Sequence, residues 1–173
     1  MRHSEYQQPG TILETRADAA SELKKVLVTV HTRLSGVSEA DASAPRILGK
    51  WSPKQILGHL IDSATNNHHR FVRAQIEKSL QMPGYTQNDW VATQSYQDRS
   101  WDDLVTLWTA YNFHILHLIV TAPEEHLNIP CRVAGDLEGT LEFLMIDYVA
   151  HMEHHLKQIF SATPARVSPS ILG

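Results

Sequence analysis

Hydrophobic residues recur at three- and four-residue intervals through four segments of the chain, which is the period of an amphipathic α-helix. The segments run from Thr11 to about Ser35, from Pro53 to about Leu80, from about Trp101 to Thr121, and from near Thr140 to before Pro164. No stretch shows a convincing strand alternation. The pattern therefore predicts an all-α protein built as a four-helix bundle.

Helix-breaking residues separate these segments. A small, polar stretch from Ser38 to Pro45 follows the first helix, and Pro83-Gly84 closes the second. Isolated aromatics among polar residues from Tyr85 to Ser100 predict a long ordered loop, which is a common place for a pocket wall. We expect one domain over all 173 residues, with the bundle at about 11–161 and an irregular tail at 162–173.

The start of the second helix carries a clear signal. Ser52 can cap the helix, Pro53 fits its first position, and Gln55 stands three residues after the cap, as in a capping box. Trp51 and Ile56 can add a hydrophobic staple across the same boundary.

Composition narrows the function classes. The chain has 42% hydrophobic and 20% charged residues and a net charge of -4, so no basic surface for nucleic acid is expected. It has no run of about 18 apolar residues, and its first ten residues are polar, which predicts a cytoplasmic protein outside the membrane. The single cysteine, Cys131, cannot form an internal disulfide.

Two of the eleven histidines, His151 and His155, lie four residues apart in the fourth helical segment. At about 100° per residue both face the apolar side of that helix, whereas His154 faces its margin. Interior imidazoles need polar partners, and a shared metal ion would satisfy both. The spacing is also compatible with ordinary core histidines bonded to backbone groups, and both interpretations stay open.

A third imidazole would complete the set of three protein ligands that leaves one coordination position open in catalytic zinc sites. His59 is the best candidate because it flanks the apolar side of the second helix, and His114 on the third helix is a rival. Ligand histidines usually donate their second ring N–H to a carboxylate. Asp147 and Asp62 have suitable helical spacings for this role, although either could instead be solvated.

Three stretches of the sequence resemble the DinB-like superfamily, especially its YfiT-like branch. They are the GKWSPKQILGHLIDS stretch at 49–63 followed by an arginine at 70 or 73, the Asn-Asp-Trp segment at 88–90, and the AHMEHHLKQI stretch at 150–159. The resemblance implies an up-down-down-up four-helix bundle and a divalent metal, nickel or zinc, held by three histidines. At matching positions the ligands are His59, His151 and His155, and His154 is not a ligand.

The resemblance also implies chemistry on a small-molecule substrate and makes a homodimer plausible. Its members resemble S-transferases in which a metal-bound low-molecular-weight thiol, such as bacillithiol or mycothiol, attacks an electrophile. We prefer this reaction because no glutamate takes an obvious general-base position beside His151 or His155. The alternatives are a metal-dependent hydrolase of small esters or amides and a non-catalytic metal-binding, stress-linked protein.

Polar residues on the His59 side of the second helix could line the mouth of the pocket or form a solvated surface. Arg70 could bind the anionic group of a thiol or of a substrate. The predicted pocket residues are Ser63, Asn66, Asn67, Arg70 and His154.

Overall fold

The structure of the protein, a computed structural model, describes residues 13–134 and 137–161. Its long helices are α1 (Arg16–Ser35), α3 (Pro53–Glu77), α5 (Trp101–Thr121) and α6 (Leu141–Phe160). Each begins after a serine or threonine whose hydroxyl accepts a hydrogen bond from a first-turn backbone N–H. The predicted capping box at the start of α3 is confirmed, with both of its reciprocal hydrogen bonds present.

Helix α1 runs antiparallel to α5 and parallel to α6. The Arg16 guanidinium at the start of α1 donates to the Ala122 carbonyl just after α5, at 2.8 Å. At the other end, the Trp101 indole N–H donates to the Leu34 carbonyl, also at 2.8 Å. The Arg16 backbone N–H donates to a Glu142 carboxyl oxygen in the first turn of α6, so these two helices start together.

Helix α3 runs parallel to α5 because its start lies against the residues that precede α5. The Ser52 hydroxyl donates to Gln97 Oε1 at 2.6 Å, and further along the two helices His68 Nδ1 lies 2.8 Å from the Tyr111 hydroxyl. With α1 and α6 parallel to each other, the bundle has the expected up-down-down-up order.

The interior of the bundle is apolar and continuous. Its largest fully buried side chains come from all four long helices and from the first small strand: Trp101, Trp108, Tyr148, Phe71, Leu23, Leu27, Leu34, Leu57, Leu60, Leu80, Leu104 and Ile115. Burial of this size supplies the main stabilisation of the fold, at roughly 25 cal/mol per Å² of apolar surface.

The expectation that the chain contains no strand is wrong. A three-stranded sheet in the order β1-β2-β3 is formed by β1 (Leu80–Met82), β2 (Pro130–Val133) and β3 (Leu137–Thr140). Strand β2 pairs in parallel with β1 and antiparallel with β3. Strands of three or four residues are too short to show a two-residue period, and the paired residues of β1 and β2 are 51 positions apart in sequence.

The expected loop from Tyr85 to Ser100 is also wrong in part, because it contains α4 (Gln87–Thr93) and a 3-10 helix (Tyr96–Asp98). A further short helix, α2 (Glu39–Ser43), lies in the polar stretch after α1. Tyr96 is buried although its neighbours in sequence are exposed, so this connection packs onto the bundle.

Helix boundaries differ from the expected ones by a few residues. The first helix starts at Arg16 rather than Thr11, which lies outside the described residues. The second ends at Glu77 rather than near Leu80, because Lys78 has a left-handed φ of 58° and Leu80 already pairs with Cys131 in the sheet. The expected irregular tail at 162–173 lies outside the described residues.

In the described part of the chain, α5 is the one helix long and apolar enough to cross a membrane. Core helices of globular proteins meet the same criterion. In this fold Trp101, Trp108 and Ile115 of α5 are fully buried against the other helices.

Candidate metal centre

His59 is placed by the first two turns of α3. The capping box and Pro53 fix where the helix begins, and the seven residues from the cap to His59 then determine which way its imidazole projects. The side chain is fully buried, and its ring lies 5.3 Å from the Trp51 ring, measured between centroids. Gly58 allows the Tyr96 ring to pack directly against the helix backbone beside it.

His151 and His155 project from one side of α6 toward His59. The structure brings the three imidazoles together so that one ligand nitrogen from each lies within 4.8 Å of the others. The Nε2 atoms of His59 and His151 are 3.3 Å apart. The His155 ring lies 4.7 Å from the His59 ring and 4.6 Å from the His151 ring, between centroids.

This arrangement fits a divalent transition metal. Two nitrogens bound at about 2.0–2.1 Å with tetrahedral angles would lie about 3.3–3.4 Å apart, which agrees with the observed His59–His151 separation. Imidazole must be neutral to bind a metal. Burial, followed by the charge of His155, lowers the pKa of His59 to about 4 and that of His151 to about 3, so both are neutral at physiological pH.

Gln158 orients the third ring, and the sequence reasoning missed it. With His155 Nδ1 donating to Gln158 Oε1 at 3.0 Å, the His155 Nε2 lone pair is left for a metal. The amide nitrogen of Gln158 donates to His154 Nε2, also at 3.0 Å. The sequence did carry a signal for this contact. Gln158 follows His155 by three residues and His154 by four, and residues at these spacings are neighbours on a helix.

The two carboxylates expected to support the ligands have other roles in the structure. Asp62 is buried and accepts hydrogen bonds from the Tyr96 hydroxyl at 2.6 Å and from Gln94 Nε2 at 2.5 Å. Within the described residues, His59 Nδ1 has no hydrogen-bond partner. Asp62 is therefore not a solvated surface residue. It also does not accept the expected hydrogen bond from His59.

Asp147 lies one turn before His151 on α6, and among the described residues it accepts no hydrogen bond from that histidine. Desolvation raises the pKa of Asp147 above its ordinary value, and the charge of Arg70 opposes this shift. Burial likewise raises the pKa of Asp62, against the effect of its hydrogen bonds from Tyr96 and Gln94. Two carboxyl groups with raised pKa values therefore lie on the helices that carry the histidines.

The expected pocket residues lie in two separate places along the interface between α3 and α6, which we call the α3–α6 seam. Ser63 and Asn67 are buried on α3, and Asn67 Nδ2 donates to the Ser63 carbonyl at 2.9 Å. Arg70 Nη1 donates to Asn67 Oδ1 at 3.3 Å. His154 is exposed and contacts Gln158 at the opposite end, so it does not join the Asn67–Arg70 group.

The rival ligand His114 lies in a different cluster. Its ring is 4.9 Å from the His68 ring, and His68 Nδ1 contacts the Tyr111 hydroxyl. His69 and His117 are exposed. Only His59, His151 and His155 form a metal-compatible group of three in the described part of the chain.

A cavity of about 540 Å³ adjoins the histidine cluster through two side chains, Trp51 and Gln158. Arg46 and Lys50 supply two positive charges to its wall, and no carboxylate of the described residues lines it. The lining residues are Arg46, Ile47, Gly49, Lys50, Trp51, Ile56, Asn88, Gln158 and Ser161. The cavity is large enough for a small metabolite.

The sequence profile of the DinB superfamily matches residues 22–159, which include all three histidines. The chain belongs to the DinB superfamily. YfiT from Bacillus subtilis, described as a probable metal-dependent hydrolase with an unusual four-helix bundle topology, has a similar solved structure. The TM-score is 0.76 at 18% sequence identity, covering 88% of this chain and 89% of that chain. No curated protein matches the sequence. The predicted family and bundle are confirmed.

Replacing Gln158 by alanine should weaken metal binding by about 10–100-fold, which is the usual cost of losing a partner that orients a ligand histidine. The reason is that His155 would lose the acceptor that fixes its tautomer and ring orientation. Competition with a chromophoric chelator measures the affinity. Lys157→Ala, an exposed change at the neighbouring position, is the matched control, and equal affinities for the two variants would contradict the role of Gln158.

The metal-free protein should lose stability as the pH falls from about 6.5 toward 4. His59 has a pKa of about 4 when folded and about 6.5 when unfolded, so the unfolded chain binds more protons in this range. The stabilisation is complete above pH 6.5, and the full shift corresponds to at most about 3 kcal/mol. Urea unfolding at several pH values measures the change. In His59→Gln the pH dependence should be flatter, and an identical slope would contradict the assignment.

Proposed function

We propose that this protein is a divalent-metal-dependent enzyme with an open coordination site formed by His59, His151 and His155. The convergence of three imidazoles from two helices carries the proposal. No carboxylate or thiol joins the group among the residues described. A set of three protein ligands leaves a position for substrate or water, as in catalytic rather than structural zinc sites. Imidazole suits both nickel and zinc.

The reaction that we favour is S-transfer from a low-molecular-weight thiol of the bacillithiol or mycothiol type. A metal held by the three histidines would lower the pKa of a bound thiol, and the sulfur could then attack an electrophilic carbon while the leaving group departs. The chain contributes orientation of the ligands through Gln158 and a cavity with Arg46 and Lys50 in its wall. This reaction requires no general base in the protein.

Hydrolysis of a small ester or amide is the second candidate. The similar structure of YfiT, described as a probable metal-dependent hydrolase, favours it. The carboxyls of Asp62 and Asp147, whose pKa values are raised, are the groups that could accept a proton from water. A non-catalytic metal-binding protein is a third possibility, which predicts neither thiol binding nor turnover.

Thiol binding to the metal separates these functions. The cobalt-substituted protein should develop a sulfur-to-metal charge-transfer band when a small thiol is added, and thiol should be required for consumption of an electrophile. Turnover of esters or amides without thiol would favour the hydrolase. A spectrum unchanged by thiols, together with no turnover, would overturn both enzymatic proposals.

A further inference from the structure

Arg70 is a partly buried cation with few direct contacts. Its Nε atom is buried and makes no hydrogen bond, and Nη1 makes one long contact of 3.3 Å with Asn67 Oδ1. No carboxylate in the described ranges lies within ion-pairing distance of it, whereas five other arginine or lysine side chains in these ranges form ion pairs. Asp147 acts electrostatically on the guanidinium without forming an ion pair, so the buried Nε donor stays unsatisfied, which costs free energy in a purely structural residue.

The side chain of Arg70 points toward the histidines. Its contact with Asn67, three residues earlier, places the guanidinium on the His59 side of its own Cα. Along α3, His59, Ser63 and Arg70 share one face at 3.6 residues per turn. Asn67 lies eight residues from His59, which is about 12 Å along the helix axis.

Helix α6 packs against the face of α3 that carries His59 and Arg70. It runs antiparallel to α3: His59 contacts His155, and Phe71 contacts Tyr148 with ring centroids 6.1 Å apart. The positive charge of Arg70 is one of the causes that lower the pKa of His151, and Asp147 and Tyr85 also interact with it electrostatically. The guanidinium and the metal-facing imidazoles therefore share one seam.

We propose that Arg70 is the binding site for a carboxylate or similar oxyanion on the molecule whose other end reaches the metal position. This inference rests on the proposed function and identifies its ligand class: a short, extended molecule with a metal-binding sulfur and an anionic group about 10 Å from the metal. The planar guanidinium offers two parallel N–H donors to such a group, which a lysine cannot match.

The test uses two thiols long enough to span this distance, 6-mercaptohexanoate and its uncharged amide of equal length, 6-mercaptohexanamide. Isothermal titration calorimetry on the metal-loaded protein should give at least 10-fold tighter binding of the carboxylate. Arg70→Met should remove this preference while leaving metal content unchanged, and Arg70→Lys should retain part of it. Arg73→Met is the matched control, because Arg73 is exposed on the same helix and is already paired with Glu77.

The outcomes separate the two levels of the proposal. Equal binding of both thiols to the unmodified protein, or a preference that survives in Arg70→Met, would overturn the role of Arg70 and leave thiol binding intact. A loss of preference in Arg73→Met as well would also overturn it, because the effect would then be one of general charge. Failure of both thiols to bind the metal-loaded protein would overturn the thiol-transfer function together with the Arg70 site.

Discussion

Replacing His151 by alanine is expected to abolish stoichiometric metal binding. His151 is in contact with both other imidazoles, and its Nε2 lies 3.3 Å from that of His59. Two remaining ligands cannot hold the ion as three do, so the loss should exceed the roughly 10–100-fold that removal of an orienting partner costs. Elemental analysis of the purified protein and chelator competition measure the effect.

The controls for this experiment come from histidines outside the cluster. His117→Ala changes an exposed residue of α5, and His114→Ala tests the rival ligand directly. Both should keep one metal per chain. Full metal content in His151→Ala, with loss in His114→Ala, would show that the metal binds at the His68–His114 cluster instead.

Replacing Gly58 by alanine is expected to destabilise the protein strongly and to disturb the metal centre. A Cβ atom at this position would lie 2.2 Å from Cδ2 and 2.3 Å from Cγ of the Tyr96 ring, and Tyr96 is buried. The ring would have to move, and its hydrogen bond to Asp62 would break. Overpacking and the lost bond together should cost about 2–4 kcal/mol of unfolding free energy. Urea unfolding measures the loss, and metal affinity should fall with it.

Two comparisons establish whether the close approach is the cause. Gly36→Ala adds the same methyl group where the nearest atom is 3.5 Å away, so it should change stability by well under 1 kcal/mol. Tyr96→Leu combined with Gly58→Ala should recover part of the lost stability, because the side chain that clashes is removed. A neutral effect of Gly58→Ala alone would contradict the observed packing.

The predictable part of the site depends on local geometry. His151 and His155 converge because residues four apart project from one side of a helix, and the capping residues Ser52 and Gln55 define the start of the helix that orients His59. Gln158 obeys the same spacing rule. A cytoplasmic location and a homodimer stay predictions.

The parts that could not be predicted are contacts between distant segments. Tyr96 and Gln94 come from a connection that looked like a loop, yet they provide the hydrogen bonds that hold Asp62. Strand β1 pairs with β2 across 51 residues, with too few residues in each strand to produce a pattern. The expected hydrogen bonds from His59 to Asp62 and from His151 to Asp147 are not formed among the described residues, because helical phase sets the direction of a side chain but not its partner.

The amino-acid sequence by itself determined four amphipathic helices, their approximate boundaries and the inward direction of His151 and His155, since these follow from helical periodicity and capping within a few turns. Only the tertiary structure decided that His59, rather than His114, meets the α6 pair, and that Arg70 lies at the same interface without an ion pair among the described residues. Such pairings depend on how helices pack across the bundle, and the spacing of residues along one helix carries no information about the facing one.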